Sequence, residues 1–204
     1  MSEIIQGSDE WFAARLGRAT CSRYKDVLAK GEGKTRTKYL KQLVAERLTG
    51  EAEEGFSNGH TDRGTEQEPF ARMSYEAITG NLVEEVGFIQ HATLMTGGSP
   101  DGLIGIDGGC EIKSVLSTVQ IDTIEAGGYP SSHKAQIQGL LWITGRSWWD
   151  FCSFSPKMPE NLRTYIFRVQ RDELYIATLA GEVMTFLGGV DSLVAKLQGV
   201  KNGY

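Results

Sequence analysis

Apolar positions fall into two rhythms along this chain. In the first 80 residues and the last 30 they recur every three or four positions, as on one face of a helix. Between about residues 82 and 115, and again near 147–171, they alternate or cluster in short runs separated by glycine. "SDEWFAARLG" predicts a short helix with Ser8 as N-cap, Asp9 and Glu10 in its first turn and Gly17 as its stop. "TCSRYKDVLAK" predicts a second, capped by Thr20 or Ser22. In "TRTKYLKQLVAERLTG", Tyr39, Leu40, Leu43, Val44 and Leu48 share one face and Gly50 ends the helix. "GTEQEPFARMSYEAITG" is a further helix, with Pro69 near its beginning and Phe70, Met73 and Ile78 available to a core.

The period then changes. "LVEEVGFIQHATLMTGGSPDGLIGIDGGCEIKSV" predicts a β-meander, with "DGG" as a hairpin signal. "SSHKAQIQGLLWITG" returns to helical spacing through Ile137, Leu140, Leu141 and Thr144. "SWWDFCSFS" and "RTYIFRVQR" are strand-like, and 172–198 forms a last helical region. This order predicts an α/β fold, a central mixed sheet flanked by helices. Its 204 residues fit one domain spanning 1–204, with no repeat or linker to divide it.

Composition narrows the chemistry. No apolar run approaches the roughly 18 residues of a membrane span, and the N-terminus lacks the pattern of a signal peptide, so a cytoplasmic protein without a membrane partner is expected. Cys21, Cys110 and Cys152 are odd in number and widely spaced, as free thiols are. The three histidines show no zinc spacing, so any metal is expected on oxygen ligands. The net charge of −5 conceals an asymmetry: ten Lys/Arg against six Asp/Glu in residues 1–50, eleven against twenty thereafter. Five of the basic residues lie in "KGEGKTRTKYLK", a solvated face or a surface for phosphates.

The stretch 97–114, "GGSPDGLIGIDGGCEIKS", carries the sharpest signal. If 103–106 and 110–113 pair as a hairpin, Asp101 stands beside Glu111 and Lys113. These two share a face while Ile112 enters the core. Two carboxylates and a backbone carbonyl, that of Ile112, make a platform for Mg²⁺, with the lysine placed to orient or help deprotonate a metal-bound water. Such an ion lowers the pKa of water and neutralises a phosphoryl oxygen, which points to phosphodiester hydrolysis. A surface ion pair of Lys113 would use the same residues. Glu68 on the preceding helix is either a further carboxylate for the site or a helix N-terminal acid. Gln136 on the following helix either orients water or phosphate or lies at a solvent edge.

Taken together, "WFAARLGRATCSRY", "RGTEQEPFAR", "GGSPDGLIG", "CEIKS" and "AQIQGLLWITG" resemble the lambda-type, YqaJ-like phage alkaline exonucleases of the PD-(D/E)xK nuclease superfamily, over about residues 7–171. The resemblance implies a restriction-endonuclease-like core and two Mg²⁺ ions, with Mn²⁺ as a substitute. It also implies 5′→3′ digestion of one strand of linear duplex DNA to mononucleotides, leaving a 3′ overhang for recombination by strand annealing. Asp101, Glu111 and Lys113 match the family's catalytic triplet, Glu68 its helix carboxylate and Gln136 its downstream glutamine. Arg15, Ser22 and Ser99 match the positions that hold a 5′ phosphate, a suitable task for a guanidinium and hydroxyls. Where the family often has an Asp, this chain has Ser155. A ring-shaped homotrimer, a single-strand annealing protein as partner, and a phage or prophage origin are further expectations from the resemblance. So is a strand-separating wedge at Phe56 or His60. Two other readings stand beside it: a related nuclease of different polarity or an endonuclease, and a DNA-end-binding protein without catalysis.

Overall fold

The computed structural model describes residues 5–30, 34–53 and 62–200. The wedge expectation at Phe56 or His60 lies outside them. Helix α1 (Asp9–Arg15) begins where expected, with the Ser8 hydroxyl accepting from Trp11 N at 3.3 Å. Strand β1 (Ala19–Thr20) follows, then a 3₁₀ turn (Cys21–Arg23) and α2 (Tyr24–Val27). Helices α3 (Lys34–Thr49) and α4 (Asp62–Thr79) precede the strands β2 (Ile89–Gln90), β3 (Thr96–Gly98), β4 (Gly102–Ile104) and β5 (Gly108–Ser114). The chain continues through α5 (Ser117–Ala126), a second 3₁₀ turn (Ser131–His133), α6 (Lys134–Thr144), β6 (Trp148–Phe154), α7 (Glu160–Arg163), β7 (Thr164–Gln170) and α8 (Glu173–Gln198).

Among the described residues the expected meander divides into two sheets. One has the order β1-β3-β2, with β1 parallel to β3; the other has the order β4-β5-β6-β7. β5 pairs with β4 antiparallel, placing Gly102 opposite Cys110, and with β6 parallel, placing Glu111 opposite Phe151. The parallel pair requires a crossover, supplied by α5 and α6. The four-stranded sheet is covered on both faces. On one, Trp149, Phe151 and Val169 pack with Tyr39, Leu43, Ile137, Leu140, Leu141 and the buried side of α8. On the other, Ile104, Cys110, Ile112, Cys152 and Phe154 meet Ala71 and Tyr75 of α4. Burial on both faces gives β5 and β6 their nearly uninterrupted buried pattern.

Several expectations change. α4 buries Ala71 and Tyr75, whereas Phe70, Met73 and Ile78 are exposed, because the helix turns the Ala71–Tyr75 stripe to the sheet. Leu48 on α3 is likewise largely exposed, while the acidic Glu46 is buried and accepts from Gly17 N at 2.9 Å. Helices α5 and α7 and the short strand β1 add to the predicted elements. α8 is long and apolar enough by length and composition to cross a membrane, contrary to the expectation that no segment is. Its Ile176, Leu179, Val183, Phe186, Leu187 and Val190 are buried in the core, as in a packed helix. All three cysteines are free and buried.

Candidate active site

The β4–β5 hairpin builds one half of the site. Gly105, at φ +51°, supplies a left-handed turn conformation, and Arg146 Nη1 donates to the carbonyls of Ile104, Gly105 and Gly108 at 3.2, 2.8 and 2.6 Å. The turn is thereby pinned from the crossover side. Asp101 sits one residue before β4 and accepts from Ile112 N at 2.7 Å through Oδ2. That bond fixes the carboxylate beside β5. In an extended strand the N–H and C=O of one residue face the same edge, so the Ile112 carbonyl also faces the Asp101 side.

Glu111 is 0% exposed. Its Oε1 accepts from Gln136 Nε2 at 2.6 Å and pairs with the Lys113 ammonium, whereas its Oε2 is buried with no hydrogen-bond partner among the described residues. Lys113 also lies 3.9 Å from Asp101 Oδ2. Two buried carboxylates and a partly exposed lysine therefore form one group rather than a surface ion pair. Gln136 holds Glu111, a partner in addition to the water or phosphate expected from the sequence. Gln138, two residues on, ties α6 to the start of α8 by donating to Gln170 O at 2.9 Å and accepting from Asp172 N at 3.0 Å.

The charges are strained in a telling direction. Burial, and then the nearby Asp101, push the Glu111 carboxyl up to about 7. For Lys113 burial acts downward, but Glu111 and Asp101 outweigh it and hold the group above the ordinary lysine value. Glu68, half-buried on α4, is raised by burial and by Asp101. Its carboxylate pairs with Arg72 at 3.0 Å, and Arg72 also pairs with the exposed Glu85. The ring of His133, at the start of α6, lies tilted against Phe151 at 5.4 Å, and burial followed by Lys113 and Lys25 lower its pKa to about 4. It is therefore a neutral imidazole near the site, a neighbour that spacing alone did not reveal.

Among the described residues no three His, Cys, Asp or Glu side chains cluster as a ready-made metal cage. The donor set fits Mg²⁺ nonetheless: two hard carboxylates, a backbone carbonyl on the same side, and one buried carboxylate oxygen with an unused lone pair. Asp101 raises the pKa of both Glu111 and Glu68, the mark of carboxylates short of positive charge.

A second polar cluster adjoins the first through the "SPD" sequence. Ser99 Oγ accepts from both Arg15 Nη1 and Trp11 Nε1, each at 2.9 Å. Arg15 is only 8% exposed, lies 4.1 Å over the Trp11 ring, and has a buried Nε with no partner among the described residues. Burial lowers its pKa to about 10, so it remains a cation at neutral pH. Arg15 and Ser99 are thus brought together. Ser22 is exposed, and its hydroxyl bonds Thr20 Oγ1 at 3.2 Å. Trp11 was not singled out from the sequence, although its i, i+4 relation to Arg15 on one helix gave a signal. Ser155, buried, receives a 3.5 Å contact from Ser117 Oγ and its N–H donates to Arg163 O at 2.8 Å.

Residues 10–147 match the sequence profile of the YqaJ-like viral recombinase domain. The structure is similar to the crystal structure of an alkaline exonuclease (LHK-Exo) from Laribacter hongkongensis. The two are 40% identical, the match covers 94% of this chain and 96% of that one, and the TM-score is 0.87. A crystal structure of LHK-Exo in complex with dAMP matches with the same figures. A phage-related exonuclease from Haemophilus somnus 129PT shares the fold at 14% identity, over 88% of this chain and 96% of that one, with a TM-score of 0.68. The ExoD protein of Escherichia coli (strain K12) is 28% identical over 67 residues, 33% of this chain and 76% of that protein. The fold is the restriction-endonuclease-like α/β arrangement expected from the sequence.

Proposed function

The chain belongs to the YqaJ-like viral recombinase family and is a DNA exonuclease, and on that premise we propose that it digests one strand of linear duplex DNA from the 5′ end, with Mg²⁺, to mononucleotides. The product is a 3′ single-stranded overhang suited to recombination by strand annealing. The observation that carries this reading is the covalent nearness of two functions. Ser99, which shares a pocket with Arg15, is two residues from Asp101. A terminal phosphate held by Arg15 and Ser99 brings the adjoining phosphodiester toward the carboxylates, so positioning supplies much of the rate. The dAMP complex of LHK-Exo supports a mononucleotide product.

Asp101, Glu111 and the Ile112 carbonyl would hold Mg²⁺, with Glu68 serving a second ion, and Mn²⁺ would substitute. When bound, the metal neutralises phosphoryl charge and acidifies water. The chain's own groups do the rest. The Ile112 N–H fixes Asp101, and Gln136 fixes Glu111. Lys113, kept as an ammonium by its two acidic neighbours, donates toward the attacked phosphate rather than taking a proton from water. Arg15 and Ser99, with the Ser22 hydroxyl as a further donor, would select the phosphorylated end.

From the family we also infer a ring-shaped homotrimer that encircles DNA, a single-strand annealing protein as partner, and a phage or prophage gene acting in the bacterial cytoplasm. The test is linear duplex labelled separately at its 5′ and 3′ ends, incubated with Mg²⁺ and, in parallel, with a chelator. Early release of the 5′ label as a mononucleotide, its loss with chelator, and resistance of closed circles are expected. Early release of the 3′ label would reverse the polarity, and cleavage of circles as fast as linear DNA would exclude an exonuclease.

A further inference from the structure

A cavity of about 360 Å³ lies between α4 and the far end of the β6–β7 pair, lined by Phe70, Ser74, Phe154, Pro156 and Arg163. Its volume is at the small end for a ligand site. The strand register places it: Ser114 lies opposite Phe154, and Phe154 opposite Thr164, so the cavity sits at the strand ends reached one residue beyond Lys113. The walls are aromatic. Phe154 is buried in the sheet face, while Phe70 is 63% exposed, although it stands on a helix whose opposite stripe is packed. Ser74 and Thr164 bond each other at 2.6 Å, so their hydroxyls are already engaged.

Arg163 is the unexplained member. Its guanidinium has no ion pair or hydrogen bond among the described residues, and its Nε is buried without a partner. The nearest acidic side chain in sequence, Glu160, is exposed on α7; Lys157, next to Pro156, is exposed and adds positive charge. A partly buried guanidinium without an acceptor is costly unless an anion supplies one.

We propose that this cavity is a subsite for one unpaired nucleotide of the DNA substrate, its base against Phe70 and Phe154 and its phosphate on Arg163. The proposal rests on DNA being the substrate. An aromatic wall accepts any base by stacking, which suits an enzyme that must act on every sequence. The base must be unpaired, because a base stacked inside a duplex has no free face to offer.

The test is binding of 5′-phosphorylated DNA, blunt or carrying a short single-stranded tail, measured by fluorescence anisotropy in chelator so that nothing is cleaved. Phe70→Ala should weaken tailed-duplex binding about 5- to 150-fold and blunt-duplex binding far less. Arg163→Gln should lower the slope of log affinity against log salt by about 1. Phe70 is exposed, so its variant should melt as the wild type does. Wild-type-like binding by both variants, or equal losses on tailed and blunt DNA, sinks the subsite alone. So does a change of oligomeric state in Phe70→Ala by light scattering, which would make this face a contact between copies. A wild type that binds neither DNA would take down the DNA reading and the subsite with it.

Discussion

Arg15 and Ser99 stand 84 positions apart in sequence, yet Arg15 Nη1 donates to Ser99 Oγ at 2.9 Å. The indole N–H of Trp11 donates to the same oxygen at the same distance. A serine hydroxyl has two acceptor sites and one proton. With both acceptor sites filled by protein donors, the Ser99 proton is directed away from them, toward whatever enters the pocket. Arg15 retains in its Nε a buried donor without an acceptor among the described residues. An incoming phosphate has acceptors for both.

Trp11 is therefore a positioning residue for the phosphate pocket. Trp11→Phe keeps a ring beneath the Arg15 guanidinium, now 4.1 Å from the indole, and removes only the N–H. Losing one neutral hydrogen bond is worth about 1 kcal/mol, so kcat/KM on 5′-phosphorylated duplex should fall about fivefold. The rate on 5′-hydroxyl duplex should hardly change. Equal losses on the two substrates would assign Trp11 to the fold alone.

The buried carboxylate gives a stability signature with a definite sign. Glu111 has a folded-state pKa of about 7, above the ordinary 4.5, through burial and Asp101. The folded, metal-free protein thus holds a proton that the unfolded chain has lost. This contribution is fully present below about pH 4.5 and disappears as pH rises through about 7, on the order of 1–3 kcal/mol. Relative to Glu111→Gln, metal-free wild type should lose melting temperature between pH 5 and pH 8. The opposite contribution of His133, whose depressed pKa costs stability as pH falls from about 6.5 toward about 4, is common to both proteins and cancels in the comparison. Added Mg²⁺ should stabilise the wild type more at pH 8 than at pH 6, because an ionised Glu111 is the form that binds it. Parallel melting curves for the two proteins across this range would contradict the assignment.

The sequence made the hairpin legible because "SPDG" and "CEIKS" confine Asp101, Glu111 and Lys113 to adjacent strands, where alternation fixes the faces. It also made α1, α3, α6, β6 and β7 legible through their periods. It did not reveal which stripe of α4 is buried. Phe70, Met73 and Ile78 are larger than Ala71, and hydrophobicity favours them, but Tyr75 carries a hydroxyl that bonds Asp150 at 2.7 Å and so belongs inside. Asp150 is in turn paired with Arg168 on β7, a partnership set by strand register and invisible to local spacing. The division into two sheets escaped for the same reason: β1 is two residues long and owes its existence to pairing with β3, 77 positions away. Arg72 and His133 show their relation to the site only once α4 and α6 are docked.

Gln136 provides the last test, because its role can be separated from simple packing. Its amide donates to Glu111 Oε1 at 2.6 Å, and this bond opposes the upward push on the Glu111 pKa. Gln136→Ala removes a donor to the ionised form and leaves the protonated form little affected. The Glu111 pKa should therefore rise further, and the acid limb of the Mg²⁺-dependent activity profile should move to higher pH. A charge-assisted hydrogen bond worth about 1.5 kcal/mol corresponds to a displacement of roughly one pH unit. Activity near pH 7 should then fall about fivefold, with most of it recovered by pH 9. Gln136→Glu, which adds a third carboxylate beside the pair, should be the more severe change at every pH. A loss in Gln136→Ala that is uniform from pH 6 to pH 9 would mean that the side chain shapes the site without tuning the carboxylate, and that Glu111 is kept ionised by other means.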